Sequence, residues 1–166
     1  MNTQSIHGMC ILIVFMLVTS VGYTQTYNGC RDTLMIKYGV PCKPDYEPVC
    51  GCNNKTYRNY CFATNDGVNP QLINQGICEG IDMDFNPNPA LDYLYLNIAV
   101  KAYAEIQFFI FDRFGKRYFQ VSYLPSFTTN IYSGTLDINT LPLGVYILVA
   151  QSNGNIVRKK MIKVTN

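Results

Sequence analysis

Six cysteines lie between Cys30 and Cys78, and four of them, Cys42, Cys50, Cys52 and Cys61, fall within twenty residues. A segment this short cannot bury enough apolar surface to be stable alone, so covalent staples are the expected remedy. The even number suits three bridges, although the sequence alone does not choose among the pairings open to six cysteines. Asn53-Asn54-Lys55 reads as a tight turn between a short apolar run and Thr56-Tyr57. Asn59 is an acceptable N-cap for a short helix that runs to about Asp66, with Gly67 just past its end.

Paired cysteines imply an oxidising compartment, and the N-terminus agrees. Cys10 to Val21 is an uncharged apolar run of about a dozen residues, suited to the hydrophobic region of a signal peptide and too short to span a bilayer. Gly22 and Thr24 are small enough for the −3 and −1 positions, so cleavage is expected before Gln25. Cys10 then leaves with the signal. The expected organisation is a signal peptide over 1–24, a cysteine-rich domain over 25–79 and a third segment over 80–166. No second apolar stretch is long enough for a membrane span, so no transmembrane helix is expected in the mature protein.

The formal net charge is +2, and the basic residues are scattered, which argues against nucleic acid as a partner. The single histidine, His7, sits in the signal segment. Its loss removes Ser-His and Cys-His nucleophile pairs and histidine metal ligands together. No glycine-rich phosphate loop follows a strand, and the acidic residues form no cluster with metal-site spacing. No enzyme activity, catalytic residue, metal or cofactor is therefore expected.

Beyond Cys78-Glu79-Gly80 the cysteines stop and alternation takes over. Asp92 to Ile98 places Leu94, Leu96 and Ile98 on one face, and Ile106, Phe108 and Ile110 alternate again. Tyr118 to Tyr123, Thr128 to Tyr132, Val145 to Gln151 and Ile156 to Val164 read as further strands. Ser152-Asn153-Gly154-Asn155 is a hairpin turn, because Asn-Gly tolerates positive φ at both central positions. These short antiparallel strands, with no helical period, predict an all-β immunoglobulin-like sandwich.

The pattern Cys-x7-Cys-x-Cys-x8-Cys, with Pro-Val-Cys-Gly-Cys and Lys-Thr-Tyr-x-Asn inside it, resembles the Kazal family of serine protease inhibitors. Cys52 in Gly51-Cys52 marks a bacterial variant, since the commonest pattern has a cysteine where this chain has Thr64. The resemblance implies a small disulfide-rich α+β domain, a short antiparallel sheet plus one helix, with bridges Cys30–Cys52, Cys42–Cys61 and Cys50–Cys78. It also implies an inhibitory loop of Lys43, Pro44, Asp45 and Tyr46, a scissile bond at Pro44-Asp45, and Asn59 stiffening the loop. A serine protease is the partner implied. Pro44 departs from the family's usual logic, because it offers neither length nor charge to a trypsin-like pocket and lacks an N–H. The competing reading is a non-inhibitory, disulfide-stapled binding or structural module on the bacterial surface.

The last segment resembles the C-terminal sorting domain of the type IX secretion system of Bacteroidota. The residues that carry the resemblance are Asn86-Pro87-Asn88-Pro89, Gly115 after the central strand, Gly144 and Tyr146 in Leu-Pro-Leu-Gly-Val-Tyr, and Lys159, Lys160 and Lys163 in the final strand. It implies the type IX machinery as a partner and a destination outside the cell or on the outer-membrane surface.

Overall fold

Alternating apolar residues without a long helical stripe leave strands as the only elements able to bury this chain's hydrophobic positions. The computed structural model describes residues 29–165. The signal segment 1–24, with His7 and Cys10, lies outside the described residues. Three two-residue strands, β1 (Val49–Cys50), β2 (Thr56–Tyr57) and β3 (Asn74–Gln75), form an antiparallel sheet in the order β2-β1-β3. One helix, α1 (Tyr60–Asn65), packs beside it.

Helix α1 is short because both of its ends are fixed. Asn59 Oδ1 accepts hydrogen bonds from the Cys61 and Phe62 amides at 3.1 and 3.4 Å, satisfying two donors of the first turn. At the far end Gly67 has φ +78°, and a Cβ there would lie 2.2 Å from the Asp32 carbonyl oxygen. Only glycine combines that backbone with that approach. The apolar centre of this part is small: Val49, Tyr57, Ala63 and Val68, with Ile73 packed against them.

Three disulfides supplement this core. Cys30–Cys52 ties the start of the described chain to the turn after β1, and Cys42–Cys61 ties the exposed loop to α1. Cys50–Cys78 ties β1 to the segment leading into the next sheet.

From Ile81 onward the chain makes two larger sheets. Strands β4 (Ile81–Asn86), β5 (Tyr93–Val100) and β8 (Ile131–Asp137) are ordered β4-β5-β8. Strands β6 (Ile106–Asp112), β7 (Arg117–Tyr123), β9 (Gly144–Ser152) and β10 (Asn155–Lys163) are ordered β10-β9-β6-β7. Every paired strand is antiparallel. Met83, Leu94, Leu96, Ile98, Ile106, Phe108, Ile110, Leu148 and Met161 are almost completely buried between the sheets. The β9–β10 hairpin turns on Asn153 and Gly154, with φ of 48° and 77°.

The expected fold class is corrected. Among the described residues the chain is mostly β, with three sheets and a single helix of six residues. This does not match an α+β Kazal fold followed by an immunoglobulin-like sandwich. The helix capped by Asn59 is stopped by Gly67 before it can form a layer of its own, so bridges rather than helix-on-sheet packing hold the first part. Strand β4 falls outside the predicted strands, although Ile81 and Met83 alternate with Asp82 and Asp84; Ile81 and Met83 are the residues it buries. The strand expected over Thr128 to Tyr132 begins later, at Ile131. Asn130, with φ 55°, closes a turn in which its amide donates to the Ser126 carbonyl at 2.8 Å.

Phe108 is fully buried and meets Phe119 edge-on, with centroids 6.1 Å apart. Phe108→Ala is expected to cost about 3–5 kcal/mol by leaving a cavity between the sheets, measured as a lower denaturant midpoint.

Candidate recognition loop and sorting surface

The exposed loop begins where Cys42 is bridged to α1, and Lys43, Pro44 and Asp45 are open to solvent. Its frame comes from Asn59. While Asn59 Oδ1 caps the helix, Nδ2 donates to the Lys43 and Asp45 carbonyls, each at 3.0 Å. The Asn59 side chain therefore grips the backbone on both sides of Pro44. The neighbouring Arg58 adds a third hold, its Nε donating to the Pro44 carbonyl at 2.6 Å. The Glu47 amide closes the segment by donating to the Arg58 carbonyl at 3.0 Å.

Two contacts reach from this region to β4. The Tyr46 hydroxyl donates to Asp82 Oδ2 at 2.9 Å, and the Arg58 guanidinium pairs with Asp84. Burial first, and then the Asp82 carboxylate, push the Tyr46 hydroxyl far above the ordinary tyrosine range, so it stays a donor. Sequence reading gave Arg58, Asp82 and Asp84 no role. Each is an ordinary surface residue type, and only the folded contact between the two parts brings them together.

A second polar cluster stiffens the other side of the cysteine-rich part. Asp66 accepts from the Tyr57 hydroxyl at 2.6 Å, from Arg31 at 2.6 Å and from Lys55 at 3.3 Å. The Tyr57 hydrogen bond chiefly, then those from Arg31 and Lys55, hold the Asp66 carboxyl below its usual value.

The residues picked out for sorting take different positions. Asn88 behaves as a surrogate peptide group on the outer edge of β10. Its Oδ1 accepts from the Ile162 amide at 3.0 Å, and its Nδ2 donates to the Lys160 carbonyl at 3.1 Å. Ala90 then exchanges backbone bonds with Ile162 and Val164 at 2.8 and 2.9 Å. Asn86 ends β4, and the peptide bonds into Pro87 and Pro89 are cis. Gly115, at φ +84°, completes the β6–β7 turn that Asp112 organises by accepting from the Phe114 and Lys116 amides. Gly144 opens β9. Tyr146 is buried, and its hydroxyl donates to the Pro142 carbonyl at 2.7 Å.

The three lysines of β10 are not equivalent. Lys163 is buried, with Nζ on the Leu91 carbonyl and on Asp92. Lys159 reaches Asp82 at 3.8 Å, and Lys160 is exposed. Among the described residues, no cluster of His, Cys, Asp and Glu could hold a metal ion.

Residues 85–164 match the family described as a secretion system C-terminal sorting domain. The chain is also 33% identical over 73 residues to Turripeptide Pal9.2 from Polystira albida, a match covering 42% of this chain and 94% of that peptide. The chain thus belongs to the turripeptide family and carries a secretion system C-terminal sorting domain. A superoxide reductase (neelaredoxin) from Ignicoccus hospitalis is similar with a TM-score of 0.36 at 12% identity, covering 52% of this chain and 81% of that one. That likeness is too loose to carry an argument. The sorting domain directs the protein by type IX secretion to the cell surface or the extracellular space. Among the described residues no helix is long and apolar enough to cross a membrane.

Because the Asp66 carboxyl is depressed in the folded state, its stabilising effect is complete above its unfolded value of 3.8. It is lost as pH falls through the lower folded value. Asp66→Asn is expected to cost about 1–3 kcal/mol at neutral pH and to flatten the stability loss between about pH 5 and pH 2. Denaturant titrations across that range check both.

Proposed function

We propose that the exported chain is a binding protein rather than a catalyst, with a cargo segment over 25–79 that offers Lys43 to Tyr46 to a serine-type endopeptidase and a sorting segment over 80–166. The observation that carries this reading is the Asn59 carboxamide, which bonds the carbonyls on both sides of Pro44. A loop held this way enters a cleft with little conformational freedom left to lose, which is how rigid substrate-like loops bind without being consumed. The Cys42–Cys61 bridge fixes one end of the loop and the β1 strand the other. The resemblance to Kazal inhibitors supplies the register, with Pro44-Asp45 as the bond presented and Asn59 as its support.

A second reading, a non-inhibitory recognition module, is favoured by Pro44 itself. Proline fills no deep specificity pocket, and its carbonyl already accepts a bond from Arg58. The two readings separate on one substitution. Buried central anchors dominate interfaces of this kind, and Pro44→Lys supplies a charged side chain and an N–H on an existing frame. The full secreted chain carrying Pro44→Lys is expected to inhibit trypsin at least about tenfold better than wild type, equivalent to about 1.4 kcal/mol. No gain, in a variant with all three bridges formed, favours the recognition module.

A further inference from the structure

The loop is held by groups that belong to different parts of the chain. Within the cysteine-rich part, Asn59 and Arg58 bond its carbonyls from beneath. From the larger β part, just ahead of the residues matched to the sorting domain, β4 presents Asp82 and Asp84 side by side on one face of the strand, since residues two apart share a face. Asp82 takes the Tyr46 hydroxyl, and Asp84 takes the guanidinium of the same Arg58 whose Nε holds the Pro44 carbonyl. The Arg58 and Asp84 side chains are only 20% and 24% exposed, so the pair is shielded from water and weakly screened. Among the described residues Lys159 also faces these carboxylates, standing 3.8 Å from Asp82 on the oxygen that Tyr46 does not use.

We propose that β4 is a latch on the recognition loop: Asp82 and Asp84, acting through Tyr46 and Arg58, hold Lys43 to Glu47 closed, and breaking those contacts opens the loop for its partner. The chemistry follows from what the carbonyl of Pro44 must do. A protease engages the carbonyl of the bond presented to it with its own hydrogen-bond donors. Here an arginine already donates to that oxygen, and its guanidinium is kept in place by a carboxylate of the larger β part. Remove the carboxylate and Arg58 gains the freedom to swing toward solvent. Asn59 still braces the flanking carbonyls, so the loop keeps its frame while the Pro44 carbonyl is released. Tyr46, freed from Asp82, becomes available as a contact residue beside it. Two contacts on one short strand thus couple the larger β part to the exposure of the binding loop. This inference rests on the reading of the loop as a binding element.

The test uses the full chain. Asp82→Asn together with Asp84→Asn removes both charges while conserving shape, and Arg58→Lys keeps a cation opposite Asp84 but removes the Nε that reaches Pro44. The Glu47 amide, which donates to the Arg58 carbonyl, is the reporter. Its hydrogen exchange is expected to quicken at least about tenfold in both variants, with the amides of β9 and β10 unchanged as evidence of an intact fold. Unchanged Glu47 exchange in both variants overturns the latch. Placing the double Asp→Asn change on the Pro44→Lys background then separates the latch from the endopeptidase reading. Stronger trypsin inhibition than Pro44→Lys alone supports both. Faster Glu47 exchange with no inhibition in either protein keeps the latch and overturns the endopeptidase reading. Equal inhibition by the two proteins overturns control of binding by β4.

Discussion

One carboxamide sets the geometry of the cysteine-rich part. Asn59 accepts two amide hydrogen bonds at the head of α1 and donates two to the carbonyls around Pro44, so both of its polar atoms are fully engaged. Asparagine is the residue for this task because it carries acceptor and donor on a short, planar group. Aspartate caps helices equally well but has no donor for the loop; serine has one rotating hydroxyl and cannot span both sides. Helix start and loop shape are consequently one structural decision. With only a handful of apolar side chains beneath them, the bridges hold the segments close enough for that single side chain to act on all of them.

The β part is organised differently, around a thick apolar interior in which polar groups appear only at the margins. Lys163, buried like Ser152, shows the rule. Its chain lies inside, and its ammonium emerges at the Leu91 carbonyl and Asp92, so the buried cation is compensated where it ends. A lysine in the final strand can thus be part of the architecture rather than of the surface. Lys160, one strand pleat away from that row, is the one left facing water.

How far the sequence could be read depended on whether a signal was local. Asn59 as a cap, Gly67 as a stop and Asn153-Gly154 as a turn are local, and each stands where chain-level chemistry puts it. Strands with strict alternation, such as Leu94, Leu96 and Ile98, were equally visible. Strand β4 carries the same alternation in Ile81, Met83 and Phe85 but was passed over beside the cysteine-rich segment, and its acidic residues matter only when Tyr46 and Arg58 arrive from elsewhere in the chain. The α+β and immunoglobulin-like expectation failed for a related reason: it described types of layers, and six helical residues make no layer. The role of Asn88 was likewise invisible, since nothing near it in sequence announces that its partner is a strand some seventy residues away.

The Asn88 and Ala90 contacts leave β10 with two unlike ends. Toward Val164 the outward backbone groups are occupied, by a side-chain amide and by a single residue standing in for a neighbouring strand. Toward Ile156 and Arg158, among the described residues, no strand is hydrogen-bonded to the outer edge of β10, although Lys159 reaches Asp82 of β4. The rim is thus guarded in two ways: Asn88 occupies its backbone groups toward Val164, and the exposed Arg158 and Lys160 stand along the rest, a placement that discourages edge-to-edge pairing.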